Sequence, residues 1–318
     1  MLQTGDHLSL PKLQTRKLPK ALRKALSKAE SFEQQELHKI AKQIWQAIKE
    51  GKKYSYSKNA ATLHKYRIAL RKARCYLNII APRLPKKPAN RLEKLLKELV
   101  RPTGKLRDLD TLMMQQSVYE EALGNATADN SSTWVETLKS VQNRAKEKIA
   151  DFFASKMFEK KTVKAYEIIF ALDKKLARRR SNLPLFAAKG YTKQQLEDHR
   201  VDFENEARYL NFAKVREKKL HQLRLRIKEI RYLAERVEEM EKEDENTRSL
   251  VSEYKKLQKN YGLFCDACVH SKIILNSVKS LDEETQKRIS FALNKIKLDR
   301  RIALARDTIE ELALPTHH

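Results

Sequence analysis

Long stretches of the chain place apolar residues at helical spacing among good helix formers such as Ala, Leu, Lys, Glu, Arg and Gln. Glycine occurs 6 times and proline 8 times, so the residues that interrupt helices are few. We find no segment in which apolar and polar residues alternate between turn signals, as they do in a half-buried strand. The pattern therefore predicts an all-α protein.

Prolines, glycines and capping pairs predict where these helices begin and end. The first boundaries give a helix from Pro19 to Gly51, a helix from about Ser57 to the break at 81–85, and a third helix divided at Pro102 and Gly104. Three capping pairs predict further helix starts, namely Thr133 with Glu136, Thr192 with Gln195, and Ser280 with Glu283. A break is expected near Lys214, and the last helix should reach about Leu312. Eight or more antiparallel helices in two four-helix bundles are the simplest architecture.

One sequence unit occurs twice. The segment "LHQLRLRIKEIRYL" at 220–233 aligns with "LHKYRIALRKARCY" at 63–76, and "GLFCD" at 262–266 aligns with "GKLRD" at 104–108. After an N-terminal segment 1–18, the repeat predicts a first bundle over 19–158 and a second bundle over 159–318.

Each copy places one histidine and three basic residues on a single line along a helix. In the first copy the residues are His64, Arg67, Arg71 and Arg74, and in the second they are His221, Arg224, Lys228 and Arg231. At about 100° per residue this spacing keeps them within an arc of roughly 80° over about 15 Å of helix. We call each set a basic stripe. Apolar residues flank the stripe on both sides, which is typical of a groove or channel between packed helices and not of an ordinary solvated face.

The charge of the whole chain narrows the classes of partner. Lys and Arg number 67 against 41 Asp and Glu, a formal net charge of +26, so the protein should attract polyanions such as nucleic acid, anionic membrane or polyphosphate. The start of the sequence lacks the apolar core of a signal peptide, and no apolar run approaches the roughly 18 residues that span a bilayer. Three cysteines are too few for a secreted disulfide framework. These features predict a cytoplasmic protein.

Two interpretations of the stripes remain open at this point. In one, Asp108, Asp110 and Asp266 neutralise the arginines, and each stripe is a buried ion-pair network. In the other, the carboxylates are too few, so Asp108 and Asp266 orient some guanidinium groups while others bind a ligand. Both aspartates are equally compatible with an ordinary position near a helix N-terminus after a glycine turn.

The duplicated His-x-x-Arg-x-x-x-Arg/Lys-x-x-Arg helix, with Gly-x-x-Arg-Asp-Leu-Asp after the first copy, resembles the CHAD domain, the conserved histidine α-helical domain. The resemblance covers nearly the whole chain. It implies two four-helix bundles related by a pseudo-twofold axis, a basic central channel that binds inorganic polyphosphate, no catalysis and no cofactor. The implied ligands are both stripes and Arg107, whose counterpart in the second copy is Cys265. Asp108 and Asp266 are implied to position them.

Further expectations follow from that resemblance. Sulfate or phosphate should be able to occupy the same site in crystals, and the protein should associate with polyphosphate granules in the cytoplasm. Family members often carry a triphosphate-tunnel domain, whose alternating acidic strands are not found in this sequence, so the chain looks like the stand-alone form.

Three competing functions have weaker support in the sequence. A metal site would need more ligands than single histidines among arginines provide, and "CDACVH" at 265–270 supplies only one Cys-x-x-Cys pair, better explained by small residues packed in a helix. A nucleic-acid-binding helical protein is the main alternative, but no recognition motif accompanies the charge. An enzyme acting on polyphosphate would need acidic metal ligands or a nucleophile within the repeat.

Overall fold

The computed structural model describes residues 29–124, 131–241 and 245–312, except for the side chains of 131–133. Within these ranges the chain is helical and contains no strand, so the predicted all-α fold is confirmed. The α-helices are α1 (Phe32–Ser57), α2 (Ala60–Ile80), α3 (Lys86–Val100), α4 (Gly104–Met114), α5 (Gln116–Leu123), α6 (Ser131–Ala154), α7 (Lys156–Leu176), α8 (Ala188–Arg208), α9 (Glu217–Met240), α10 (Glu245–Ser277) and α11 (Glu283–Glu311). Short 3₁₀ turns occupy Ala81–Arg83, Arg101–Thr103 and Leu185–Ala187.

The helices pack into two compact units, each of which draws on separate parts of the sequence. In the described part of the chain, one unit comprises residues 29–102 and 149–188, and the other comprises 103–124, 131–148, 189–241 and 245–312. These packing units differ from the contiguous halves 19–158 and 159–318, which remain a prediction about the repeated unit of sequence.

Aromatic side chains fill the core of the first unit. The ring of Phe153 packs edge-on against Tyr66, with centroids 4.7 Å apart, and against Phe158 at 5.3 Å. The hydroxyl of buried Tyr66 donates a 2.8 Å hydrogen bond to the carbonyl oxygen of Leu99, which ties α2 to the end of α3. Because α2 carries the first basic stripe, this core fixes which face of the helix is available to a ligand.

The second unit contains a core built around α4, α5, α6, α10 and α11. Its buried apolar residues are Leu109, Leu112, Tyr119, Leu123, Trp134, Val135, Leu138, Ile274, Val278, Ile289 and Leu293. On α9, Leu220, Leu223, Ile227 and Ile230 are fully buried and hold the second stripe helix in the same unit. Burial on this scale contributes roughly 1.5–3 kcal/mol per large apolar side chain.

Several predicted boundaries are confirmed. The third helical pattern divides at the Arg101–Thr103 turn before Gly104, and the chain breaks between Arg208 and Glu217, around the predicted position. The Ser57–Asn59 region separates α1 from α2, where the Asn59 side chain accepts a hydrogen bond from the backbone N–H of Ala61. The Pro19 start and the closing residues after Leu312 lie outside the described residues, as does the side chain of Thr133.

Other boundary predictions are wrong for identifiable reasons. Gly51 does not end α1, which continues to Ser57. A Cβ on Gly51 would lie 2.8 Å from the Phe153 ring, so the glycine is explained by the close packing of that ring. Thr192 is buried inside α8, so its pairing with Gln195 is not a cap. The last helix is capped by Asp282 and not by Ser280, since the Asp282 carboxylate accepts the N–H of Thr285 at 2.8 Å.

None of the helices in the described part of the chain combines the length and the apolar character that crossing a bilayer requires.

Candidate functional site

The first stripe lies along α2 at the border between the core and the solvent. His64 is exposed, and Arg67, Arg71 and Arg74 are half-buried. The buried Nε of Arg74 has no hydrogen-bond acceptor among the described residues, and none of them forms an ion pair with this side chain. A guanidinium group in that position retains donors that a ligand can use.

The second stripe has the same arrangement on α9. His221 is exposed, while Arg224, Lys228 and Arg231 are half-buried. The pKa of His221 is lowered because its partial burial disfavours the charged imidazolium, and the charges of Arg224 and Lys228 lower it further. A bound anion would oppose both effects.

The apolar strips beside the stripes are buried on one side and only partly buried on the other. On the inner side, Leu63, Leu70, Ala73, Leu77 and Ile80 of α2 and Leu220, Ile227, Ile230, Ala234 and Val237 of α9 are all buried. On the outer side, Ile79 and Tyr232 are buried, whereas Leu225 is 46% exposed. The predicted packing of apolar residues on both sides of each stripe is therefore incomplete beside the N-terminal half of the second stripe.

Arg224 is seated against α10 by two residues that lie one helical turn apart. Its Nη1 lies 3.3 Å from Oδ1 of Asp266. A Cβ on Gly262 would lie 3.4 Å from Nη2 and 3.9 Å from both Cζ and Nε, so the guanidinium group passes close to the bare backbone of this glycine. The Asp266 carboxylate therefore contacts Arg224, and its role in positioning this side chain for a ligand stays a prediction. The approach of Arg224 to Gly262 was not predicted from the sequence.

Arg231 is held by its own helix. Its guanidinium carbon lies 4.4 Å from the centre of the Tyr232 ring, and its Nε lies 3.8 Å from Oε1 of Glu235. Stacking and a distant carboxylate fix such a side chain without neutralising it in a close bidentate pair. The contacts of Tyr232 and Glu235 were not predicted, although the i, i+4 spacing of Arg231 and Glu235 signals this pairing.

The Gly-x-x-Arg-Asp segments take different positions in their helices. Gly104 begins α4, so Arg107 and Asp108 lie within the first turns of that helix, whereas Gly262 and Cys265 lie inside α10. For Asp266, the alternative of a position near a helix N-terminus after a glycine turn is therefore wrong, because α10 continues through Gly262. Asp110 is buried and accepts a 2.8 Å hydrogen bond from Gln142, and burial raises the pKa of its carboxyl group. Its described polar partner is an amide and not a stripe arginine.

In the "CDACVH" segment of α10, the side chains of Cys265, Ala267, Cys268 and His270 are buried, whereas Val269 is exposed. Burial raises the pKa of the Cys265 thiol, and it raises that of Cys268 to about 12. His270 is fully buried, with Nδ1 2.9 Å from the hydroxyl of Tyr119 and Nε2 3.2 Å from Oγ1 of Thr111. Within the described ranges no group of three or more His, Cys, Asp or Glu side chains is arranged to hold a metal ion. The packing interpretation of this segment agrees with these contacts.

A groove of about 940 Å³ lies elsewhere in the second unit, between α5 and α11, and contains no residue of either stripe. It combines apolar side chains such as Val118 and Phe291 with charges of both signs, including Lys295 and Asp299. Mixed charge does not favour a polyanion, so we base the candidate site on the stripes.

Comparisons with known proteins agree with the sequence resemblance. A family model described as the CHAD domain matches residues 34–274. A search of curated proteins gives no match. Among solved structures, the chain is similar to the crystal structure of the CHAD domain from the plant Ricinus communis, with a TM-score of 0.69, 14% sequence identity, and coverage of 90% of this chain and 93% of that chain. At this identity the likeness concerns the fold alone.

Proposed function

The chain belongs to the CHAD domain family, and from that premise we propose that it binds inorganic polyphosphate through its two basic stripes without catalysing a reaction. The observation that carries this proposal is that cations of both stripes are incompletely paired with acceptors and carboxylates. Arg74 and His221 have no hydrogen-bond or ion-pair partner among the described residues, and Arg224 and Arg231 each approach a single carboxylate.

The contacts of the second stripe argue against the alternative in which its arginines are neutralised in a buried ion-pair network. Each of its two arginines approaches one carboxylate, Arg224 at 3.3 Å and Arg231 at 3.8 Å. An arginine held by one carboxylate oxygen still presents several N–H donors in a fixed plane. Partial pairing therefore orients the guanidinium groups and leaves positive charge available.

Polyphosphate suits these stripes better than duplex nucleic acid does. It is a thin chain with a negative charge on every unit, so a narrow line of cations along one helix can contact successive phosphates. Arginine binds two phosphate oxygens at once, lysine supplies a point charge, and histidine donates a hydrogen bond. The sequence contains no helix-turn-helix or zinc-finger motif of the kind that reads a DNA groove.

Absence of catalysis is part of the proposal. Hydrolysis or transfer of a phosphoryl group requires bound metal ions or a positioned nucleophile beside the phosphate. The contacts of Asp266 and Glu235 with the second stripe are those of one carboxylate beside one arginine, which supports a role in orienting the arginines. We further propose a cytoplasmic location and association with polyphosphate granules, for storage, localisation or sensing of the polymer.

A competition titration tests the proposal. Fluorescently labelled long-chain polyphosphate is bound to the protein at physiological salt and displaced with unlabelled polyphosphate, duplex DNA, RNA, ATP or sulfate. We expect polyphosphate to compete at far lower concentration than the other anions. Equal competition by duplex DNA or RNA at matched salt would favour the nucleic-acid-binding alternative and contradict the proposal.

A further inference from the structure

The repeat aligns Gly262 with Gly104, yet the two glycines have different surroundings. A Cβ on Gly104 would meet nothing within 4 Å, whereas a Cβ on Gly262 would meet three atoms of the Arg224 guanidinium group. Gly262 is buried in the middle of α10, where a glycine costs helix stability relative to alanine. A glycine in such a position is explained by close packing, and the group packed against Gly262 is Arg224, a candidate ligand-binding residue.

We propose that Gly262 is a positioning residue, which forms a bare patch of helix backbone against which Arg224 is held in the orientation needed for anion binding. This inference rests on the proposed function for its binding consequence, although the packing it describes does not. Asp266 contacts Nη1 from the next turn, and the glycine lets Nη2 approach the α10 backbone. The two residues thus restrict the guanidinium group from two positions on one face of α10.

The distances set a graded steric requirement. At 3.4 Å from Nη2, an alanine methyl group would be at the limit of ordinary van der Waals contact, so alanine fits with little movement. Valine adds two methyl groups on the same carbon, and its χ1 angle has little freedom in a helix. It cannot keep both groups away from a side chain that passes directly over the position. Arg224 must then move away from Asp266.

If Gly262→Val weakens polyphosphate binding by displacing Arg224, the loss should occur only when Arg224 is present. Polyphosphate affinity should change less than about twofold in Gly262→Ala. It should fall by about tenfold in Gly262→Val, close to the loss for Arg224→Ala, because about tenfold corresponds to the loss of one well-oriented charged hydrogen bond. In an Arg224→Ala background, Gly262→Val should cause no further loss. A purely structural role would produce the same additional loss in both backgrounds.

Gly190 supplies the matched control. It lies in α8 of the same compact unit, and a Cβ there would also meet nothing within 4 Å. Gly190→Val should leave polyphosphate affinity and its salt dependence unchanged. If Gly190→Val weakens binding as much as Gly262→Val does, or if Gly262→Val keeps full affinity, the inference is wrong.

Thermal unfolding separates this inference from the proposed function. Gly262→Val should lower the Tm in the presence of Arg224, and Arg224→Ala should restore part of that loss by removing the group with which valine collides. The restoration is expected even if Gly262→Val is too unstable for binding measurements, because the double variant can be compared with Arg224→Ala alone. If wild-type protein fails to bind polyphosphate, the proposed function fails while the Tm cycle still tests the packing. Additive Tm changes would overturn the positioning role.

Discussion

His221 is the residue at which pH should act on binding. Its pKa is lowered by burial and by Arg224 and Lys228, so it is largely neutral at pH 7 in the free protein. A polyphosphate chain beside it would favour the imidazolium and raise this pKa, which means that binding takes up a proton. Affinity should therefore increase as the pH falls through the pKa of His221 in the complex and level off below its pKa in the free protein.

Calorimetric titration in two buffers of different ionisation enthalpy measures this proton uptake directly. His221→Gln should reduce the uptake near pH 6, whereas His199→Gln, on the exposed surface of α8, should leave it unchanged. Equal uptake in wild type and His221→Gln would contradict the assignment.

His270 should act on stability instead. Burial lowers its pKa to about 4, whereas an unfolded histidine has a pKa near 6.5. Between these values the unfolded chain binds the extra proton, so the free energy of unfolding should fall as the pH decreases from about 6.5 to about 4, by about 3 kcal/mol in total. Below the folded pKa this contribution levels off.

Urea unfolding at pH 7 and pH 5, followed by the fluorescence of Trp134 in a Trp45→Phe background, would measure the effect. His270→Gln should lower the stability at both pH values, since it disturbs the hydrogen bonds to Tyr119 and Thr111. His270→Gln should also reduce the difference between the free energies of unfolding at pH 7 and pH 5. The same difference in the variant as in the parent would show that another group causes the pH dependence.

At the scale of a helix, the position of the positive charges on α2 should matter more than their number. Arg67 and Arg71 lie on the stripe, whereas Lys65 and Lys72 lie on another face of the same helix. Replacing Arg67 and Arg71 together by alanine should weaken polyphosphate binding by about ten- to a thousandfold, if roughly 1–2 kcal/mol is lost per contact. The Lys65→Ala/Lys72→Ala variant removes the same charge and should lose less than about threefold.

The equivalent substitution on α9, Arg224→Ala with Lys228→Ala, should also weaken binding by at least tenfold. Fluorescence anisotropy with one labelled polyphosphate of fixed length compares these variants. If the lysine variant loses as much affinity as the arginine variant, binding follows the general surface charge and the stripes are not the site.

At the scale of the whole molecule, the net charge of +26 makes salt the main external control of binding. The logarithm of the association constant should fall linearly with the logarithm of salt concentration, because bound cations release the counterions of the polyanion. Each stripe variant should show a smaller slope than wild type, and affinity should rise with polyphosphate length until the available cations are occupied. A slope that is identical in wild type and in both stripe variants would contradict this origin.

Incubation with polyphosphate and Mg²⁺ tests the other whole-molecule property. We expect no release of phosphate above that of a protein-free sample. Turnover that is lost in Arg67→Ala would overturn the non-catalytic proposal, whereas turnover that is unaffected by this substitution would indicate a contaminating enzyme.

The sequence by itself determined the helical class, the two stripe helices and the family, because the spacing of apolar residues and the duplicated basic motif are local properties of the chain. His64 with its arginines, and His221 with its partners, fall on one line as soon as α2 and α9 form. Asp266 could be suggested for the same reason, since it follows from the alignment of the second copy with the first.

Tertiary structure decided everything that depends on which segments meet. Gly51 and Gly262 looked like helix ends or equivalent members of a repeat, but Phe153 packs on one and Arg224 on the other. Thr192 matched a capping pair, yet α8 begins at Ala188, so Thr192 lies inside the helix, where its side chain is buried. A local pattern fixes the direction of a side chain on its own helix, whereas the partner that fills the space opposite it comes from a distant part of the chain.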